Sequence, residues 1–589
     1  MHRLLRPALV ASAGLVLASF APLPRFSAAT LEALDPSRIA EQVCGERRAG
    51  SPLTHNLLFA AAVAAPASAG RTIPLYPDLT TSPFPVSTRD AQARRYFSQG
   101  LLLAYGFNHA GAVRSFREAQ RRDPTCALCW WGEALALGPN INAPMDDRDR
   151  AAALDAMDRA MALRAKATPM ERALIEAVAR RYARDPKADR AALDAAYADA
   201  MLDVARRFPD DDVAVLAADA AMNTTPWNYW AADKKTSIGR AGDAVRLVEA
   251  VLARNPGHVQ AGHLYIHLME AADPVRAEAA ADRMSGPSAT PSAAHLVHMP
   301  GHIYQLRGRH ADSIRVNVAA AHADEAFLRS AGDQGLVRYG YYPHNIHFIV
   351  TSAQMAGDMG TAVREARRLR TVLDPATSER IAWIQAIDAA PYLAMAQFAE
   401  PKAILALPAP DARLPYAAVM RHYARAVAYA RLRDRAAFDE ELSAMERLRA
   451  SGALKGLIDQ GMPAADLTAL AELAARGRFA AALGRHDEAI GFYRQAAAIE
   501  SRIPYQEPTY WYYPVKQSLG AALFQAGRYD EAGEAFRAVL MQTPNNGWAL
   551  YGLSRSEAAQ GRQLEAAAAR KALSKAWLGD VRWLRMDRL

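Results

Sequence analysis

Cysteine is scarce: the 589 residues contain three, Cys44, Cys126 and Cys129, too few for a disulfide-built scaffold. No serine nucleophile elbow, phosphate-binding glycine loop or His-Glu-x-x-His pattern occurs, so the commonest hydrolase, nucleotide-binding and zinc-protease motifs are missing. Aromatic residues make up only 8%, and β-branched residues are modest, which argues against sheet. No basic run is interleaved with aromatics. The net charge of +8, carried mainly by arginine, therefore reads as solvation of outer helix faces, and nucleic acid is not an expected partner. No apolar run is long enough for a confident membrane span, so none is expected in the mature protein.

Alanine dominates the 51% of apolar residues, a composition that favours close-packed helices. The length exceeds what one core usually organises. Arg3 and Arg6, the apolar run Pro7 to Phe20 and the small residues Ser27-Ala28-Ala29 read as a secretory signal over residues 1–29. A second such pattern, Arg47-Arg48, Leu57 to Ala65 and Ala67-Ser68-Ala69, gives an alternative cleavage near 69, which would remove Cys44. Either implies export to the periplasm or medium, and an N-terminal helix is the plain alternative. Residues 30–89 are expected to be poorly ordered.

From about residue 90 a repeat grammar sets in. Its clearest unit runs from Gly520 through Gly527, Ala532 and Phe536 to Pro544. Gly520 lets two helices approach, Gly527 ends the first, and Ala532 and Phe536 lie on one face of the second. The pattern returns at Gly100, Ala112, Phe116 and Pro124, and more weakly at Gly308 to Ala320, Gly357 to Ala366 and Gly477 to Ala498. These units resemble the tetratricopeptide repeat, a helix-turn-helix of about 34 residues. The resemblance implies an all-α, right-handed superhelix with helical repeats over 90–240, His-rich repeats over 241–370 and further repeats over 371–589. Spacing breaks between about 140 and 240, although Ala151 to Ala165 and Ala191 to Phe208 still read as helices. That region holds a polar-aromatic loop, Asn223 to Trp230. Cys-x-x-Cys-Trp-Trp-Gly-Glu-Ala at Cys126 and Trp-Tyr-Tyr-Pro-Val-Lys at Trp511, with the stretch His295 to Arg307, look like a group of exported bacterial tetratricopeptide proteins of unassigned role. The family implies a concave groove that takes a peptide or protein ligand.

Ten of the fifteen histidines fall between His258 and His347. His263 and His267 stand i, i+4, with Glu270 three further on. His295, His298 and His302 follow at i, i+3, i+7, and His344 and His347 at i, i+3. Pro300 either opens a helix or kinks one inside the second group. In this family the first helix of each repeat faces the groove. Counted back from the turns at Asp273, Gly308 and Gly357, all seven histidines recur at thirteen, ten or six residues, on three successive first helices. Facing helices lie about 8–10 Å apart, so these side chains converge. Imidazole ligates zinc, copper and iron, and the expected site is a transition-metal centre with Glu270 as ligand or base. The set exceeds one tetrahedral site, so some members are outer partners or two metals bind. Two other readings stay open: a polar groove in which the rings bond one another or Tyr265 and Tyr304, and an anion site of protonated rings. A metal-free scaffold for an envelope protein or peptide is the alternative function.

Cys126 and Cys129 open a first helix, with Glu133 at the next groove offset. A structural disulfide, a redox disulfide and metal ligation compete, the structural disulfide first. Asn140 and Asn142 lie in the following polar turn, read as a plain turn that could also point into the groove.

Overall fold

A computed structural model describes residues 27–35, 72–286, 290–332, 335–504, 506–511 and 513–589. The charged and apolar parts of both signal-like segments, and Cys44, lie outside these residues. The described chain is helical, and the only β features among its residues are two isolated bridges, Asn140–Ala143 and Trp230–Ser237. Antiparallel helix pairs follow one another along the chain, from Ala91–Tyr105 with His109–Arg122 to Gly547–Ala559 with Gln563–Ala576. This is an all-α array of helix-turn-helix repeats.

The repeat grammar has a steric origin. A Cβ on Gly520 would lie 2.9 Å from the Phe536 ring, and one on Gly552 would lie 2.2 Å from it. Phe536 thus sits between two first helices that have no side chain where they meet it. Gly527 follows the first helix with φ +78°, a left-handed conformation that glycine adopts without penalty. The spacing break has a cause as well. The helices expected near 151–165 and 191–208 are present as Arg150–Leu163 and Arg190–Arg207. Long connections at 137–149 and 223–240 replace the tight turns.

Residues 72–89, expected to be poorly ordered, run along the N-terminal repeats and bury Ile73, Leu79 and Phe84. The short helix Ala28–Leu34 packs against the last two repeats. Among the described residues no helix is long and apolar enough to cross a membrane.

Two large apolar cores meet at the histidine repeats, one built mainly before residue 341 and the other mainly after residue 320. Five helices carry the histidine region: α1 (Val259–Met269), α2 (Ala294–His298), α3 (Pro300–Leu306), α4 (His310–Ala331) and α5 (Tyr342–Ala356). The chain then returns to close on them. Trp548 Nε1 donates to the Gln354 carbonyl at 2.8 Å, Leu578 N to Ala356 O at 2.9 Å, and Asn545 Nδ2 to Gly308 O at 3.3 Å. From the other end, Arg114 Nη1 donates to Ala331 O at 2.8 Å. The superhelix is shut around its histidines.

Candidate metal centre

Pro300 opens α3 directly behind α2, and its missing N–H interrupts the backbone ladder between the two. Met299 before it keeps helical angles, φ −50° and ψ −39°, so α2 runs into α3 without losing its face. His298 and His302 consequently stay one turn apart, with their Nε2 atoms at 2.8 Å. Turns stand at all three positions: Gly308 and Gly357 have φ +67° and +73°, and Asp273 precedes the helix Pro274–Met284. The three first helices therefore point their histidines at one interior region.

Six of the seven expected histidines form two groups of three. His263, His267 and His295 make one, and His298, His302 and His344 the other. Within each group the ligand-capable atoms lie within 4.8 Å of one another. In the first group the rings stand 4.9 Å (His263–His267), 5.0 Å (His263–His295) and 6.0 Å (His267–His295) apart. His347 joins neither group. It lines a cavity of about 10 Å³ with His344, Trp383, Gln506 and Glu507, room for about one water. His258, also in the histidine-rich stretch, is a helix cap: its Nδ1 accepts from Ala261 N.

The outer nitrogens of four of these rings face acceptors. His263 Nδ1 donates to Gln260 Oε1 at 3.0 Å, and His267 Nδ1 to Glu270 Oε1 at 3.1 Å. His298 Nδ1 donates to Asn317 Oδ1 at 2.6 Å. Asn317 Nδ2 in turn donates to Ser313 O at 2.8 Å, which fixes which way the amide faces. His302 Nδ1 lies 2.7 Å from Glu270 Oε2 and also donates to Glu507. Such acceptors set the tautomer and turn Nε2 inward, the usual outer-sphere arrangement of a metal-bound histidine.

Inward nitrogens of the first group are unsatisfied. His267 Nε2 and both ring nitrogens of His295 are buried with no hydrogen-bond partner among the described residues, and beyond Gln260 the His263 ring meets only the Tyr105 carbonyl. Each such atom costs about 1–3 kcal/mol when left bare, and native interiors pair nearly all of them. Their convergence is what a cation between them would resolve.

Electrostatics weigh against the anion reading at five of the rings. Burial, reinforced by neighbouring rings, holds His263, His267, His295, His298 and His344 well below the usual histidine range. These rings are neutral near pH 7 and carry no positive charge to offer. His302 is the exception. Burial pushes it down, but the charges of Glu507 and Glu270 outweigh that and lift it to about 10. Burial and the Glu270 charge raise Glu507 to about 7 against the pull of His302.

The polar-groove reading is met in part: His298 Nε2 and His302 Nε2 hydrogen-bond each other at 2.8 Å, but the tyrosines take no part. Tyr265 donates to Glu249 and Tyr304 to Asp282, away from the rings. The expectation of an open groove at this point also needs correction. His263, His267, His295, His298, His302 and His347 are at most 6% exposed, because other segments fill the concave side. Phe107 packs on His263 at 4.6 Å and on His295 at 5.3 Å. Trp227, from the polar-aromatic loop, meets His267 edge-on at 5.0 Å. Tyr341, in a π turn over Val337–Tyr341, lies 4.6 Å from His295 and takes a hydrogen bond from Asn142. Glu507 comes from the segment just before the Trp511 stretch.

Glu507, Gln260, Asn317, Phe107 and Tyr341 were not marked by the sequence. The first three are outer partners whose residue types carry no metal-ligand signature by themselves. Glu270 is where the spacing put it, 1% exposed, and both its oxygens face ring nitrogens. It is placed to hold ligands, and also belongs to a third group with His302 and Glu507.

The cysteines stand apart. Cys126 and Cys129 are joined in a disulfide with Cα atoms 5.3 Å apart, and Cys126 caps the helix Ala127–Ala136. Glu133 is occupied by Arg117 and Gln120, and Asn140 Nδ2 lies 3.0 Å from His109 Nε2.

No family model and no curated protein sequence matches this chain. Among solved structures, a human IFIT1 dimer with m7Gppp-AAAA is similar at 10% identity, over 81% of this chain and 95% of that one, with a TM-score of 0.29. The Cut9–Hcn1 hetero-tetramer of APC/C is similar at 12% identity, over 83% and 96%, with a TM-score of 0.23. Similarities this low bear on neither fold nor function.

Proposed function

We propose that this is an exported helical-repeat metalloprotein whose primary site is a transition-metal ion held by His263, His267 and His295. The observation that carries the reading is the convergence of ligand-capable nitrogens of these three buried rings within 4.8 Å of one another. Three neutral imidazoles suit zinc, copper or iron. Gln260 and Glu270 hold the outer nitrogens of His263 and His267, and Phe107, Trp227 and Tyr341 keep bulk water away. A bound ion would polarise a small ligand or, if copper or iron, exchange electrons. The sealed surroundings favour reactants of water-like size over peptides. Export is supported by the signal-like residues 1–29 and by the Cys126–Cys129 disulfide, which suits an oxidising compartment.

The test is elemental analysis of the full chain purified from its native compartment, beside a His263→Ala, His295→Ala double variant. At least one tightly held transition metal per chain is expected, with that site lost in the variant. Metal-free native protein that takes up no zinc or copper on dialysis would refute the reading. The metal-free scaffold alternative predicts that outcome, together with unchanged partner capture by the double variant.

A further inference from the structure

The first centre uses three of the interior rings, and a second set of three lies beside it. His295 and His298 are 5.9 Å apart between ring centres, and His267 and His302 6.0 Å. The two groups are thus neighbours inside one closed space. In the second group His298 Nε2 and His302 Nε2 face each other at 2.8 Å, and the His344 ring stands 4.9 Å from that of His298. Phe348 packs edge-on against His298 and His344 and tilted against His302, at 4.9–5.0 Å, and closes that side.

The outer nitrogens decide the chemistry. Asn317 can only accept at the oxygen it presents, so Nδ1 of His298 carries a proton, and Nδ1 of His302 faces the carboxylates of Glu507 and Glu270. Both Nε2 atoms therefore point at shared space with His344 beside it. One further connection is decisive. Glu270 Oε1 accepts from His267 of the first group, while its Oε2 lies 2.7 Å from His302 of the second. A single carboxylate orients one ligand in each group.

We infer that the protein binds a second transition-metal ion at His298, His302 and His344, and that Glu270 is the shared outer partner coupling the two centres. The inference rests on the first centre being a metal site. Glu507 completes the second centre by holding His302, which explains why a distant loop is drawn into the core. Glu270 and Glu507 are positioning residues: they fix the rings and raise their basicity, and losing such a partner typically lowers metal affinity about 10–100-fold.

The experiment is a cobalt(II) titration of the metal-stripped full chain, followed by visible absorption and by elemental analysis after desalting. Wild type should saturate at two ions per chain. His344→Asn and His263→Asn should each saturate at one, and Glu270→Gln should weaken both steps by about 10–100-fold. Thermal melts of the stripped variants check that each is folded, and His344→Gln serves if His344→Asn is not. Saturation of wild type at one ion, with folded His344→Asn unchanged, would overturn the second site and leave the first standing. Loss of all metal from folded His344→Asn would show one joint cluster and also overturn two centres. No binding by wild type would remove the first centre as well. A Glu270→Gln effect on one step alone would overturn the coupling.

Discussion

A neutral imidazole offers one donor and one acceptor, and the interior rings differ in how much of this capacity is used. That difference sets the response to acid. Six rings, His263, His267, His295, His298, His344 and His347, sit below the free value of 6.5. As pH falls through that value the unfolded chain gains protons that the folded core refuses, so stability falls. His302 works in the opposite sense. It is raised to about 10, so its contribution is full below the unfolded value and is lost as pH rises through about 10. Metal-stripped protein should therefore melt at lower temperature at about pH 5 than at about pH 7, and again at lower temperature above about pH 10. Calorimetry in the presence of chelator checks this, and a melting temperature that rises on acidification would contradict it. The seven histidines were legible at this scale because i, i+3 and i+4 spacing survives in any helix. Glu507 was not: it bonds His302 across 205 residues of sequence, and no local period links a loop carboxylate to a helix that far away.

At the scale of elements, the turn glycines and the Phe536 contacts made the repeats readable, because helix pairs that meet on a bare Cα leave a fixed signature. Extra methyl groups there should be costly in proportion to the overlap. Gly552→Ala should lose about 1–3 kcal/mol, the usual cost of overpacking, and Gly520→Ala less, since its Cβ would lie 0.7 Å farther from the ring (2.9 against 2.2 Å). Urea unfolding midpoints measure both, and equal or reversed effects would reject the steric account. Pro300 is the opposite case. Sequence left a kink and a helix start equally open, because both place proline after a helical residue. The backbone at Met299 resolves this, and Pro300→Ala should leave metal content and midpoint nearly unchanged. The connection 223–240 was legible as a polar-aromatic loop, but its destination against His267 was not, since loop composition carries no direction.

For the whole molecule, the closing contacts matter more than any one repeat. Trp548→Phe removes the hydrogen bond to Gln354 and should cost about 1 kcal/mol. Its more telling effect should be faster amide hydrogen exchange in α3 and α5, together with faster metal loss to a chelator. Unchanged exchange in both helices would mean that the C-terminal repeats do not gate the core. The array of repeats was readable from sequence, whereas its closure was not: Gly308 and Asn545, or Ala356 and Leu578, share no pattern that pairs them. The closure also imposes an order of events in biosynthesis. Every histidine of both groups follows Phe107 and stands well before Glu507 in the chain, so when the chain folds from its N-terminus the ligands are complete while the last wall of their chamber is still unmade. An ion captured at that stage is enclosed by the rest of the chain as it folds. Thereafter its residence is governed by how often the ring of repeats reopens, and the metal available where the exported chain folds becomes the metal the protein keeps.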